Sequence, residues 1–423
     1  MPIRFPDLKG DAYEDLLVAI LFSHGFFVEA NLHLRSGGRE VLELDVVATP
    51  VEDPIEKAIL LDAKSGKSGI ADLFKIYGWK QYLGIPLGCI VRTNEPDEVS
   101  KPVLLELSLE TAVTVVAIND HTLPELPFVS VKMPDAVRTA ILKAGWFGRI
   151  GKRLCIAAFE SFVKSSQMGC AAKLKEYRNA IEQSFFKRAP LDRAKFVYSA
   201  YQTTGPITHL AISELTNGDS DKIKTEWNGI RELSHRPWLQ FVLMMEHTAR
   251  LRVVKNALLH VLLVQKQNTP YADVLLDEWA MPTGFQRGVN VLRTHRHRER
   301  IPLLWQMFIE NFGAFYCLKS NCDLIALSDC TGIPANDVVE CLELYGTFFP
   351  NSKGWFMQYK DEIRVFKNVP AAYHGTGVFL RSDLFGFDQY SKHCPTMRFL
   401  LEKWHNALYE ILEPELKIKE APR

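Results

Sequence analysis

The 423-residue chain has no C-x-x-C pair, no apolar run approaching the roughly 18 residues of a membrane span and no net charge. Each absence removes a class of protein. Eight cysteines, scattered at positions 89, 155, 170, 317, 322, 330, 341 and 394, suit reduced core thiols rather than a disulfide framework or a zinc knot. The opening M-P-I-R-F-P-D lacks a secretory apolar segment, so the expected location is the cytoplasm, with no membrane partner. No internal repeat or low-complexity tract appears, which excludes solenoids and long disordered tails. What is present is a composition of 47% hydrophobic and 24% charged residues, typical of a globular protein too long for one ordinary core.

The zero net charge hides an asymmetry. Residues 1 to 120 hold 11 Lys or Arg against 19 Asp or Glu, a balance of −8, and the remainder holds 39 against 31, or +8. An acidic N-terminal unit repels a polyanion unless a metal reverses the local sign, so attraction to nucleic acid is expected from the rest of the chain.

The informative stretch is Val41 to Lys64, V-L-E-L-D-V-V-A-T, a breaker-rich turn with Pro50, Asp53 and Pro54, then K-A-I-L-L-D-A-K. It reads as a hairpin of two largely buried strands. Asp45 interrupts the first run, while Asp62 and Lys64, two apart, project from one face of the second. Buried charge is costly unless paired or bound to metal, so these three call for a chemical reason. Two carboxylates supply the hard oxygens that Mg2+ prefers, and a lysine beside them orients water or stabilises a charged phosphate. Capped strand ends with a snorkelling lysine are the bland alternative.

These residues resemble the PD-(D/E)XK, or restriction endonuclease-like, nucleases, nearest the Holliday-junction resolvase and Mrr-type branches. The likeness runs from Lys9-Gly10 through Glu14 in a first helix and Gly25-Phe26 at its end to Leu44-Asp45-Val46-Val47-Ala48 and Asp62-Ala63-Lys64-Ser65. Leu44 replaces the proline that names the family, and Asp62 stands where glutamate is commoner. The resemblance implies Glu14, Asp45 and Asp62 as ligands of Mg2+ or Mn2+, joined by the carbonyl of Ala63, and Lys64 as the catalytic lysine. In that family the helix after the catalytic strand often sends a polar residue back toward the site, a place open to Lys80 or Gln81, with a solvated helix face as the alternative. Gly66-Lys67-Ser68 looks like the tail of a phosphate loop, but Leu61 occupies the place of its upstream glycine and the likeness is discounted.

Taken in order, the N-terminal part predicts a helix over 11–24, an edge strand over 28–34, the hairpin, a helix over 70–83, a strand over 87–92, a helix over 97–110 and a strand over 112–118. That is a mixed sheet with helices on both faces. Arg35 and Arg39 flank the Ser36-Gly37-Gly38 turn and read as a solvated hairpin tip. From Pro134 the pattern turns helical, with two basic clusters: Lys143, Arg149, Lys152 and Arg153, then Lys173, Lys175, Arg178, Lys187 and Arg188, interleaved with Tyr177, Phe185 and Phe186. Such clusters track phosphates or else are solvated faces over an aromatic core. The densest basic run, R-T-H-R-H-R-E-R from Arg293 to Arg300, reads as a phosphate-binding patch through Arg293, Arg296 and Arg298; His295 and His297 lack a third metal ligand.

Residues 322 to 367 resemble a winged helix-turn-helix, with helices over 322–329 and 334–345 and a hairpin through W-F-M-Q-Y-K-D-E-I-R-V-F-K. The second helix carries Asp337, Glu340 and Glu343 and no Lys or Arg, which suits protein contact or internal packing as well as DNA; Lys353, Lys360, Arg364 and Lys367 leave the wing as a phosphate contact. A last amphipathic helix runs from Met397 to about Leu412, with a frayed end beyond Pro414.

The expected architecture is an α/β restriction endonuclease-like domain over 1–125, a helical domain over 126–315 and a winged-helix-like domain with a terminal helix over 316–423. The expected function is metal-dependent hydrolysis of double-stranded DNA, as in a restriction-type, phage-defence, recombination or repair nuclease. A homodimer, or membership of a larger assembly, follows from the need to cut two strands with one site per chain. Two alternatives stand: a catalytically inactive nuclease scaffold serving as a nucleic-acid-binding or assembly subunit, and a transposition or RNA-processing endonuclease.

Overall fold

The computed structural model describes residues 8–36, 39–66, 69–93, 100–118, 126–166, 168–204, 207–219, 221, 236–267, 276 and 283–420. The tip at Gly37-Gly38, Lys67-Ser68, the start of the helix expected from 97 and most of the boundary expected near 125 lie outside them.

The first helix, α1 (Asp11–Ser23), opens at Gly10 and closes into Gly25 at φ +75°. Only glycine fits there, since a Cβ on Gly25 would stand 2.5 Å from that of Val131. Strands β1 (Phe27–Ser36), β2 (Arg39–Thr49) and β3 (Ile59–Lys64) pair antiparallel, and β3 continues in parallel to β4 (Leu87–Arg92) and β5 (Val113–Ala117). Helices α2 (Ile70–Leu83) and α3 (Ser100–Thr111) make the crossovers. The sheet is mixed, as the alternation of apolar runs requires.

Its two faces separate by strand alternation. Val46, Ala48, Ile59, Leu61, Cys89 and Val91 pack toward α1, and Val47, Leu60 and Ile90 pack toward Leu73 and Ile76 of α2 and Leu104 of α3. Leu60, Asp62 and Lys64 share the α2 side of β3, so the charged residues follow the last apolar layer toward the strand's C-terminal end.

The remainder is mainly helical, and 64% of the described residues lie in helices. It begins with α4 (Asp135–Ser165), α5 (Cys170–Ser184), α6 (Pro190–Thr204) and α7 (Ile207–Leu215), followed by a long helix, α8 (Pro237–Gln267). α4 lies on α1, and the core beneath α1 runs without interruption through α4, α5 and α8. Glu29 of β1 is buried against Arg252 (3.0 Å) and Lys255 (2.6 Å) of α8. The α/β unit and the helical region therefore share one interior. No break in packing accompanies the change of sequence character near residue 126.

Helices α9 (Gln286–Thr294) and α10 (Ile301–Gln306), the latter running into a π-turn over Met307–Asn311, lead to the C-terminal part. There β6 (Phe315–Cys317), α11 (Cys322–Thr331), α12 (Ala335–Glu343), α13 (Tyr345–Phe348), β7 (Phe356–Tyr359) and β8 (Ile363–Phe366) form two main helices beside a three-stranded sheet of order β6-β8-β7. Lys360 and Asp361, both at positive φ, make the tight β7–β8 turn. Helices α14 (Ala371–Phe385), α15 (Phe387–His393) and α16 (Arg398–Glu420) close the fold. α16 passes through Pro414 instead of ending near it, a correction to the expected fraying. Among the described residues no helix is long and apolar enough to cross a membrane.

Candidate active site

The β2–β3 ladder runs from Ala48–Ile59 to Val46–Leu61, and beyond it the Ala63 N–H donates to Asp45 Oδ2 at 2.7 Å. A carboxylate thus replaces a backbone carbonyl where the strands diverge. Asp62, 3% exposed, meets Lys64 Nζ at 2.9 Å and Lys75 Nζ of α2 at 3.5 Å, and Lys64 also lies 3.8 Å from Asp72 of α2. The shared face read from the two-residue spacing is present.

The charge balance here is strained. Burial, then the Asp62 charge, pushes the Asp45 carboxyl up to about 6 against the pull of the Ala63 N–H. Burial also lifts the Glu14 carboxyl, with Asp45, Glu43, Asp11 and Asp15 adding repulsion, to about 8. Burial works to lower the Lys64 ammonium, but its hydrogen bond to Asp62 and the charges of Asp62, Asp72 and Asp45 outweigh this and hold it above its ordinary value.

Glu14 belongs to this electrostatic neighbourhood without touching the other carboxylates by any hydrogen bond. Its Oε2 accepts from Asn31 Nδ2 at 3.3 Å, and Asn31 Oδ1 in turn accepts from Arg149 of α4. Among the described residues no group of three or more His, Cys, Asp or Glu is gathered closely enough to hold a metal. The structure thus brings Asp45, Asp62, Ala63 and Lys64 together and leaves Glu14 turned toward the helical region. In kind the donors fit a hard divalent cation: two carboxylates on adjoining strands, one peptide carbonyl and a local excess of negative charge.

Comparison with protein-family models, curated proteins and solved structures finds no match. The site therefore rests on its own geometry.

Of the two α2 residues expected to turn back, Lys80 does not. It is 4% exposed, and its ammonium donates to the Pro86 carbonyl at 2.8 Å. Positions 73, 76, 80 and 83 form the buried face of α2, so helical spacing directs Lys80 inward and only its tip escapes. Gln81 is exposed. Lys75 and Asp72, one turn from the N-terminus of α2, reach the site instead. Their signal was their phase, flanking Leu73 and Ile76 beside the end of β3.

The basic segments are largely committed inside the molecule. Arg296 meets Asp337 at 2.7 Å and Glu340 at 3.9 Å, His297 meets Asp337 at 2.9 Å, and His295 lies 3.8 Å from Glu340. Arg298 donates to the carbonyls of Leu292 (3.2 Å) and Arg293 (2.6 Å). Arg293 is half-buried at the end of α9. The R-T-H-R-H-R-E-R run thus receives the acidic face of α12, and Glu343 takes Arg364 of the wing at 3.0 Å. Arg296 and Arg298 thus meet α12 and the carbonyls at the end of α9, and the facing cations account for the absence of any cation from α12. Arg149 and Arg178 are buried, and Tyr177, Phe185 and Phe186 are core. Exposed cations remain at Lys173, Lys175, Lys187, Arg188, Lys353 and Lys360.

Proposed function

We propose that this chain is a metal-dependent endonuclease hydrolysing DNA phosphodiester bonds, with a restriction endonuclease-like N-terminal unit and a winged-helix-like C-terminal unit. The observation that carries the reading is Asp62 and Lys64 in ion-pair contact, with Asp45 held on the intervening Ala63 amide. A structural lysine has no need of two aspartates at the mouth of an apolar sheet.

Asp45 and Asp62, with the Ala63 carbonyl, would hold Mg2+ or Mn2+, and Glu14 would join them by turning from Asn31. When bound, the ion supplies a lowered pKa for water and neutralises charge growing on the phosphate. The protein's own share falls to Lys64. Its ammonium, one contact from Asp62, orients the attacking water or accepts the growing negative charge of the phosphate. Lys75, on the other oxygen of Asp62, steadies that carboxylate in the metal-free state. The exposed lysines of α5 and the β7–β8 turn supply sequence-independent phosphate attraction, and two copies of the chain would cut both strands of a duplex.

One observation favours the second reading, an inactive scaffold: two lysines already neutralise Asp62, and the carboxylates are not gathered into a ligand set. The experiment offers duplex DNA, a four-way junction and single-stranded RNA with Mn2+ to the native chain, Asp62→Asn and Lys64→Ala. Cleavage of DNA by the native chain, falling by about 10²-fold or more in both variants while DNA binding persists, is the expected result. No cleavage of any substrate sinks the enzymatic reading, and preference for RNA moves it to the RNA-processing class.

A further inference from the structure

Between β1 and the helices α4, α5 and α8 lies a cavity of about 390 Å3, close to the proposed active site and separate from its aspartates. Its walls repeat with helical spacing: Arg149, Lys152, Arg153 and Ile156 from α4, Arg178 and Ile181 from α5, Phe241, Met245 and Arg252 from α8. Apolar side chains, a phenyl ring among them, share this lining with five cations and with the carboxylates of Asp11, Asp15, Glu43, Glu160 and Glu182.

Most of the cations are spoken for. Arg149 and Arg153 donate to Asp15 at 3.2 and 3.0 Å, Arg178 to Glu160 and Glu182 at 3.0 and 2.7 Å, and Arg252 sits on Glu29 at 3.0 Å. Lys152 differs. It makes no hydrogen bond or ion pair among the described residues, yet it stands between Arg149 and Arg252 at the wall shared with a smaller void of about 30 Å3. Burial, with those two arginines adding to it against the pull of Glu310 and Asp15, brings its ammonium down to about 8. A cation left without a partner beside two others lacks an anion. A ring-sized apolar floor beside it defines what else that anion carries.

We propose that this cavity binds a small phosphorylated ligand with a flat apolar portion, of the nucleoside monophosphate class. The phosphate meets Lys152, backed by Arg149 and Arg153, and the ring lies on Ile156, Ile181, Phe241 and Met245. The ligand acts on the nuclease site through a short path. Arg149 lines the cavity and donates to Asn31, which donates to Glu14, so an anion that draws Arg149 away loosens the hold that keeps Glu14 from Asp45. This second half rests on the nuclease reading; the binding does not.

The test is calorimetric titration of the full chain with the four nucleoside 5′-monophosphates, with adenosine and inorganic phosphate as separate arms, repeated on Lys152→Gln and Ala157→Trp. Ala157 is exposed at the rim, so its tryptophan blocks entry without touching the core or the charge. At least one monophosphate is expected to bind with a Kd below about 1 mM, about tenfold tighter than either fragment, and each variant to weaken it about tenfold. Binding by neither native chain nor variants, equal binding of a fragment, or binding unmoved in both variants overturns the proposal. A short oligonucleotide arm separates a free nucleotide from a strand end, and tighter binding of the oligonucleotide overturns the assignment. With Mn2+ and duplex DNA, a saturating monophosphate is expected to change the native cleavage rate about threefold or more and leave Lys152→Gln at its basal rate. Binding without cleavage upholds the ligand site and removes the nuclease; cleavage without binding does the reverse; both together with no change of rate overturns the link through Asn31.

Discussion

Asp62 and Asp323 are both buried aspartates beside a cation, 3% and 0% exposed, and they are dressed in opposite ways. Asp323 of α11 accepts from Arg381 Nε at 2.9 Å, from the Cys317 N–H at 2.8 Å and from the Tyr390 hydroxyl at 2.8 Å. Arg381 completes its own set on the carbonyls of Phe312, Gly377 and Phe315 and lies 3.9 Å from the centre of the Phe315 ring. Every donor there is fixed by the backbone or by packing. Among the described residues Asp62 has only the tips of two lysines, 27% and 41% exposed, with Asp45 raising the negative charge nearby. A buried carboxylate surrounded by rigid donors holds a fold together, whereas one held by movable ammoniums can exchange its partner.

Replacing one partner at each centre sharpens this contrast most. Arg381→Met leaves Asp323 buried and unpaired, and the expected loss is roughly 3–5 kcal/mol in urea unfolding. Asp62→Asn removes repulsion with Asp45 as well as attraction to the lysines, and its stability is expected to stay within about 1 kcal/mol of the native chain. Equal losses in the two variants would erase the distinction between a structural and a chemical carboxylate.

Acid provides the next test, because His374 stands in the interior near Arg381. It is buried and stacked on Trp404, and its Nδ1 is 2.7 Å from the Gly313 carbonyl oxygen. Burial first, then the charges of Arg381 and His247, bring it down to about 4. His247, with Nε2 at 2.7 Å from the Asn368 carbonyl oxygen, is brought to about 4 by burial and Arg250. Both depressions favour the folded state above the unfolded value near 6.5, and that contribution disappears as pH falls from 6.5 toward 4. Glu14 and Asp45, held up at about 8 and 6, release protons on unfolding in the same window, so the histidine contribution is read as a difference: the native chain is expected to take up close to one proton more on unfolding than His374→Gln, and its melting temperature to fall correspondingly more, or rise less, toward acid. Parallel profiles for the native chain and His374→Gln between pH 6.5 and 4.5 would show that this ring is not held neutral.

The two centres were unequally legible for a physical reason. Asp45, Asp62 and Lys64 break apolar runs, and a two-residue period puts two of them on one face without knowledge of the fold. Helix α2 and strands β1 to β5 followed from the same periodicity within a few residues. Asp323 and Arg381 sit 58 positions apart in ordinary helices, and nothing local shows that each is fully enclosed. The same holds for Glu29 with Arg252 and Lys255, whose long-range pairing joins what composition separates near residue 126. Basic runs are hard to read for a related reason. A sequence displays charge, and only the tertiary structure displays the counter-charge, here Asp15 for Arg149 and Asp337 for Arg296.

Arg296 supplies the smallest expected effect and the surface limit of the comparison. It is 63% exposed and pairs with Asp337, itself 18% exposed, at 2.7 Å. Water solvates both partners on separation, so Arg296→Ala is expected to destabilise by only about 0.5 kcal/mol, and by less than that in 1 M salt, where screening reaches within roughly 3 Å. His297 remains on the other oxygen of Asp337 and keeps α12 docked. A loss as large as that of Arg381→Met would mean that the contact between the basic run and the acidic helix is itself a fixed interior pair, and burial would no longer separate the three classes of aspartate.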